Sequence, residues 1–299
     1  YRCTGEVQGL FKYRNRATGI ASTAGKFASA FARGAFVYKP IEPMFADLLA
    51  KKAAEAFNYG LLHPGACQTA PGTAPYFYEE DNWVDDMELA AIELYKLTGD
   101  RKYFNHAGEF GRQETVTPWM GADTARHYQW YPFMNMGHPL IASATVGTDI
   151  SSEFMGNMKL GLKKIMEKGE NNPFLAGVPF IWCSNNLVTA TLTQAGLYRK
   201  ISGDNSFEEF EAACRDWLFG CNPWGTGMVV GLPEDGDFPE NSHSSYVVRG
   251  LQVQGGLVDG PVYPSIFLNL KYLYLSEEDE YAQFQNDLAV YHDDYADYS

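Results

Sequence analysis

The sequence has no C-x-x-C pair, no H-x-x-x-H spacing and no D-x-D-x-D-G loop. Zinc, thioredoxin-type redox and EF-hand calcium chemistry therefore have no foothold in it, and neither a metal nor a cofactor is expected. Its five cysteines, Cys3, Cys67, Cys183, Cys214 and Cys221, are an odd number. Cys214 and Cys221 stand too far apart along one helix to bridge within it, so buried free thiols are the expectation. No run approaches the ~20 apolar residues of a membrane span, and no charged, apolar, small-residue leader opens the chain. A mature secreted chain would look the same. Basic charge is scarce: 23 Lys and Arg stand against 37 Asp and Glu, for a net charge of −14 at pH 7, and they form no block. Phosphate backbones and anionic lipids would be repelled, so no nucleic-acid and no membrane partner is expected.

What is present is a chain of 299 residues, 45% hydrophobic and 20% charged, enough to bury the core of one large domain spanning 1–299. Apolar residues recur at helical spacing from Ile20 through Ala24, Phe27, Ala28, Phe31 and Ala35. A second helix is expected from about Pro43 to Tyr59, burying Phe45, Leu48, Leu49, Ala53, Ala56 and Phe57. The two form a hairpin joined at Lys39-Pro40. Internal repetition points the same way. Leu94-Tyr95-Lys96-Leu97-Thr98-Gly99-Asp100 is echoed by Leu197-Tyr198-Arg199-Lys200-Ile201-Ser202-Gly203-Asp204, and more weakly by 270–276. In each strong copy Gly takes the left-handed cap and Asp opens the next helix. Recurring helical hairpins close into a toroid or extend as a solenoid, and the irregular, aromatic-rich loops favour the toroid.

Those loops are the candidate binding surface. One carries Thr117-Pro118-Trp119 and His127-Tyr128-Gln129-Trp130-Tyr131, another Trp182-Cys183-Ser184-Asn185, and Asp81-Asn82-Trp83 heads a helix whose first turn holds Asp85 and Asp86. Trp and Tyr faces stack on pyranose rings as they do on bases, and the negative charge argues for the uncharged sugar. For a single ring, sealing a helix end remains the alternative, as capping does for Asp81, Asp85 and Asp86.

The stretch from Asp216 to Pro264 organises the rest: Asn222-Pro223-Trp224-Gly225, then Val229-Val230-Gly231, then His243, then Gly255-Gly256-Leu257-Val258-Asp259-Gly260-Pro261. In order and spacing these resemble the N-P-x-G, V-V-G and G-x-L-V-G-G-P motifs of the family 9 glycoside hydrolases, inverting cellulases. The segment Trp182-Cys183-Ser184-Asn185 resembles that family's W-G-S-N, and His292-Asp293-Asp294-Tyr295-Ala296-Asp297-Tyr298-Ser299 resembles the approach to its D-D-x-x-D-Y-x-x-N-E motif. The resemblance implies an all-α fold, an (α/α)6 toroid of helical hairpins that is incomplete in this chain. It further implies about the C-terminal two thirds of the catalytic domain, truncated at both ends, and a secreted or periplasmic protein.

The same resemblance implies hydrolysis of a β-1,4-glucan or related plant polysaccharide with inversion. That reaction needs an acid at the glycosidic oxygen and a base about 6.5–9.5 Å away that activates water on the opposite face. In the family the base lies in D-A-G-D and the acid closes the N-E motif, and neither motif occurs in the 299 residues. No catalytic carboxylate is therefore assigned within the chain, which is expected to be inactive alone. Asp293, Asp294 and Asp297 are given a supporting role. Substrate contacts are assigned to His243, Trp224, Trp182, Trp130, Tyr128, His127 and Trp83. His243 stands at the family's H-H-R, but His243-Ser244-Ser245 lacks the second His and the Arg. His63, His106, His138 and His292 are read as ordinary surface or core residues. The expected partners are an oligo- or polysaccharide and the missing N-terminal part of the same domain. Two rivals stay open: a non-catalytic glycan-binding protein, and a sugar epimerase on a helical toroid.

Overall fold

The computed structural model describes residues 18–67, 82–121, 133–181, 183–242, 252–268 and 274–297. Contacts divide the chain into two compact units, Tyr1–Pro118 with Arg126–Leu160, and Trp119–Ala125 with Gly161–Ser299.

The first unit begins with α1 (Ala21–Tyr38) and α2 (Pro43–Leu62), the expected hairpin, followed by α3 (Val84–Thr98) and α4 (Arg101–Gly111). The face α1 buries is made of small residues: Ala21, Ala24, Gly25, Ala28, Ala32 and Ala35. Small side chains let backbones approach closely. A Cβ placed on Gly25 would run into Asp86 of α3, and one on Gly60 of α2 into Met87. This alanine row sets the rotation of α1, and it corrects the expected burial pattern. Phe27 is 53% exposed, and on α2 Ala46, Ala53 and Phe57 are buried while Leu48 is 50% exposed. Phe45 is exposed too, with its ring edge-on to Tyr38 at 5.1 Å.

The repeated helix ending folds as its residues require. Gly99, at φ 73°, closes α3 with its N–H on the Tyr95 carbonyl at 2.8 Å, and Asp100 caps α4 by accepting from the Lys102 amide at 3.0 Å. A short α5 (Pro118–Gly121), α6 (Gly137–Ala144) and the long α7 (Asp149–Gly169) follow.

In the second unit, α8 (Ser184–Ser202) repeats the device. Gly203, at φ 72°, caps it on the Arg199 carbonyl at 2.9 Å, and Asp204 accepts both the Ser206 amide and the Tyr198 hydroxyl. Helix α9 (Glu208–Leu218) opens on Glu208, Glu209 and Glu211, which suit its positive end, and is stopped before Gly220, at φ 105°. A short α10 (Pro264–Leu268) completes the set. Among the described residues there is no strand. Isolated antiparallel bridges, such as Val229 with Leu257 and Val262 with Val290, tie the loops after α9 together. The core beneath them is aromatic: Trp217 meets Trp224 edge-on at 6.1 Å, and Trp224 meets Tyr291 at 5.6 Å.

The cysteines depart from the expectation of free buried thiols. Cys67 is disulfide-bonded and Cys221 is exposed, whereas Cys214 is a buried free thiol and Cys183 is half-buried.

Candidate active site

In the second unit the segment 291–297 gathers the acidic residues singled out in the sequence. Asp293 accepts the backbone amides of Glu240 at 2.7 Å and Asn241 at 3.0 Å. Its carboxylate therefore fixes the chain two residues before His243. Asp294 accepts the amides of Ser276 at 2.7 Å, Glu277 at 3.0 Å and Ala296 at 2.7 Å, pinning a second loop and its own turn. Asp297, 2% exposed, meets Nδ1 of His292 at 2.8 Å, while Nε2 of that ring lies 3.7 Å from Asp279. The Phe267 ring lies tilted at 33° against the imidazole, 4.4 Å between centroids.

These groups border a cavity of about 370 Å³ that Asp237, Glu240, Asp279, Glu280, His292 and Asp293 help to line. So many carboxylates in one place shift one another. Burial first, then Asp293, Asp237, Glu240 and Asp279, hold Glu280 above its ordinary value. Burial also raises Asp293, with Glu240 and Asp237 adding to it and the two amides opposing. Burial works against the Asp294 carboxylate as well, but the amides of Ala296, Glu277 and Ser276 outweigh it and hold that carboxyl low. Adjacent acids are thus driven apart: backbone amides hold Asp294 below its ordinary value, while burial and neighbouring carboxylates hold Asp293 above it.

Trp224 packs in the core of this unit. It is 4% exposed, with Trp217 and Tyr291 on its ring and its N–H on Gln285 at 3.0 Å. Gln285 also receives the Tyr291 amide at 3.1 Å, so a residue the sequence did not single out ties the Trp224 turn to the terminal segment. Asn185 is fully buried: its amide nitrogen donates to the Val258 carbonyl at 3.1 Å and its oxygen accepts from Trp217 at 3.3 Å. Trp83, in the first unit, precedes α3 and is half-buried, edge-on to Phe110 at 5.8 Å. His127, Tyr128, Trp130, Trp182 and His243 lie outside the described residues, as do Asp81 and most of the third echo.

The first unit holds a second cluster that sequence reasoning missed. Glu88, fully buried on α3, meets Nδ1 of His138 at 2.7 Å, and Nε2 of the same ring faces the Thr115 carbonyl at 3.1 Å. Both ring nitrogens have an oxygen partner, which the positively charged ring satisfies as donor to both and the neutral ring satisfies when the Glu88 carboxyl holds the proton. Burial disfavours that charge, but Glu88, Thr115 and Asp85 outweigh it, so His138 sits above its ordinary value. Burial likewise raises Glu88 against the pull of His138, and raises Asp85 against that of Lys26. Asp86 is paired with Lys26 at 2.6 Å. Gly111 and Gly137 make the space, since a Cβ on either would strike the Glu88 carboxylate. A carboxylate and a histidine 50 residues apart carry no joint signal in a single sequence.

With this geometry in place, comparison with known proteins is decisive for the family. The family description that matches residues 4–299 is Glycosyl hydrolase family 9. Endoglucanase 10 of Arabidopsis thaliana is 22% identical over 270 residues, covering 79% of this chain and 49% of its own length. Endoglucanase 21 of Oryza sativa subsp. japonica is 23% identical over 269 residues, covering 80% and 50%. Among solved structures, a single mutant of a thermostable endoglucanase from Alicyclobacillus acidocaldarius superposes with a TM-score of 0.69 at 21% identity, covering 93% of this chain and 51% of that one. A metagenome-derived glycoside hydrolase family 9 endoglucanase gives 0.67 at 20% identity, covering 93% and 49%. The chain spans about half the length of these relatives and shares their helical fold. Matched over nearly its whole length, with its motifs in the family's order, the chain belongs to glycosyl hydrolase family 9.

Proposed function

We propose that this chain is the glycan-holding part of a hydrolase that cleaves β-1,4-glucan with inversion. The observation that carries the reading is the Asp293 bridge: one carboxylate joins the terminal acidic segment to the amides of Glu240 and Asn241, next to His243. In an inverting site the acid and the base must be held at fixed separation across the sugar, and Asp293 is placed to couple a terminal acid to a sugar-contacting histidine. The chain's own residues then bind and position. His243, Trp182, Trp130, Tyr128, His127 and Trp83 contact sugar, Asp293 and Asp294 hold the loops, and Trp224 supports them from the core. Proton transfer falls to the carboxylates of the D-A-G-D and N-E motifs, neither of which occurs in the 299 residues.

Among the described residues no helix is long and apolar enough to cross a membrane. Secretion or periplasmic export is part of the proposal, and the Cys67 disulfide supports it, since such bonds persist in oxidising compartments. The other helical portion of a family 9 domain is the proposed protein partner.

The test is calorimetric titration with cellotetraose beside an assay of reducing ends released from barley β-glucan. The chain alone should bind cellotetraose and release nothing, and His243→Ala should weaken binding about tenfold, the equivalent of about 1.4 kcal/mol. Absence of binding would overturn the glycan reading, and hydrolysis by the chain alone would overturn the assignment of the acid and base to other motifs. Because both of those motifs are missing from the sequence, a purely glycan-binding role is the second reading. Activity regained on adding the complementary portion of the domain separates the two.

A further inference from the structure

Half of the large hydrophobic side chains that are exposed among the described residues fall between Phe27 and Leu62, on the hairpin of α1 and α2. Single exposed apolar residues are ordinary on a protein surface, but a contiguous patch of them is not. Here they are contiguous. On α1, Phe27, Phe31 and Tyr38 follow one another at helical spacing, in a stripe beside the buried alanine row. Phe27 and Phe31 stack at 5.6 Å between centroids, and Tyr38 meets Phe45 of α2 edge-on at 5.1 Å. Between them, Gly34 lies so close to Leu49 that a Cβ on it would stand 3.2 Å from that side chain. Leu48, next to Leu49, carries the face onto α2.

Helical spacing marks these residues for a core, yet within this chain α1 packs against α2 and α3 and turns its alanine row inward. Phe27, Tyr38, Phe45 and Leu48 are left exposed. In a chain of net charge −14, α1 holds no acidic residue, and on α2 Asp47 is paired with Lys39 and Glu55 with Lys52, each at 2.8 Å. Side chains exposed to this degree present roughly 100 Å² each, so the six offer roughly 400–500 Å². That lies in the upper part of the roughly 300–600 Å² of the largest patch on a typical monomer, and is more than half of the ~800 Å² that a stable interface buries on each side. The solved structures that share this fold supply an occupant. The chain covers 93% of itself but only 51% and 49% of them, so each contains about as much chain again.

We propose that this face of the α1–α2 hairpin is the docking surface for the helical portion of a family 9 domain that the chain does not span. The partner presents the apolar side of an amphipathic helix, which covers the Phe27–Phe31 stack and the Tyr38–Phe45 corner. The inference rests on the partner named above and adds to it the place where that partner binds.

The test mixes this chain with the family 9 segment encoded beside it in its own gene, expressed separately, and reads complex formation by sedimentation and amide hydrogen exchange across residues 27–49. A one-to-one complex should form, and exchange there should slow about tenfold or more while α8 and α9 keep their rates. Phe27→Lys and Leu48→Lys should each weaken the complex about tenfold or more, whereas Leu268→Lys, an exposed apolar residue of the second unit, should not. Because Phe27 and Leu48 are exposed, neither variant should lower the melting temperature of the chain alone. A large fall would mean that another part of the same chain covers the face, and overturns the proposal. So does a gene that encodes no such segment, or a dimer of this chain that Phe27→Lys abolishes and the segment does not displace. If cellotetraose binds but the segment does not dock, only the surface is refuted; docking without cellotetraose binding refutes only the glycan reading.

Discussion

Each unit buries one histidine against a carboxylate, yet the two arrangements serve opposite ends. In the first unit Glu88 and His138 are sealed among glycines and Phe154, and Glu88 Oε2, Asp85 Oδ1 and Asn82 Nδ2 find no hydrogen-bond partner among the described residues. In the second unit His292 has Asp297 on one nitrogen, Asp279 near the other, and a cavity of about 370 Å³ beside it. A buried pair with no relief must be kept intact, because removing one partner strands the other's charge. A pair beside a cavity has another acceptor and space nearby, so losing one partner strands the other less. The first is sealed within its unit, whereas the second borders a cavity lined by polar residues.

Substitutions in the two regions sharpen this contrast. The largest effect is expected from Glu88→Ala, which strips His138 Nδ1 of its buried partner and should destabilise the chain by roughly 3–5 kcal/mol in denaturant unfolding. Asp297→Ala should cost less, roughly 1.5–3 kcal/mol, because His292 keeps Asp279 and the cavity. An equal or larger loss there would erase the distinction between the regions.

The acid limb of the stability curve is the next measure. Asp294 is held low, so its contribution is present above the unfolded carboxylate value and lost as pH falls through the lower folded one. Asp294→Asn should therefore flatten the loss of stability in acid. Asp293 is held high, so the folded state takes its proton first as pH falls, and the group favours the fold toward acid. Asp293→Asn should steepen the acid loss, and both slopes can be read from melting temperature against pH. The smallest effect belongs to the helix cap: Asp100→Ala should lower the melting temperature least of these, a local loss that leaves both histidine pairs untouched.

The helices were legible in the sequence because their causes are local. The Gly99 and Gly203 caps fold as read, since a left-handed cap acts within a few residues, and Asp100 opens the next helix, whereas Asp204 holds the turn at Ser206 and Phe207 stands at the start of α9. Rotation was less legible. Apolar spacing put Phe45 and Leu48 inside, but the face of α1 is chosen by how closely alanine and glycine let α3 approach, which depends on the neighbour. The terminal acids stand together in the sequence, whereas their partners, the amides of Glu240, Asn241, Ser276 and Glu277, come from loops distant from them along the chain. Gln285 and Glu88 gave no signal, because an amide or carboxylate becomes informative only through what it meets. Trp224 shows the same limit from the other side, since an aromatic in a glycine-rich loop reads as a sugar platform until packing shows its ring covered.

By itself the sequence determined the helical class, the hairpin order and the family, because helix propensity, capping and motif spacing are written along one dimension. Only the tertiary structure decided which carboxylates are held below their ordinary values by amides and which are held above them by burial. Those properties depend on burial and on distances of a few ångströms between groups that the chain itself places far apart, and no local pattern encodes them.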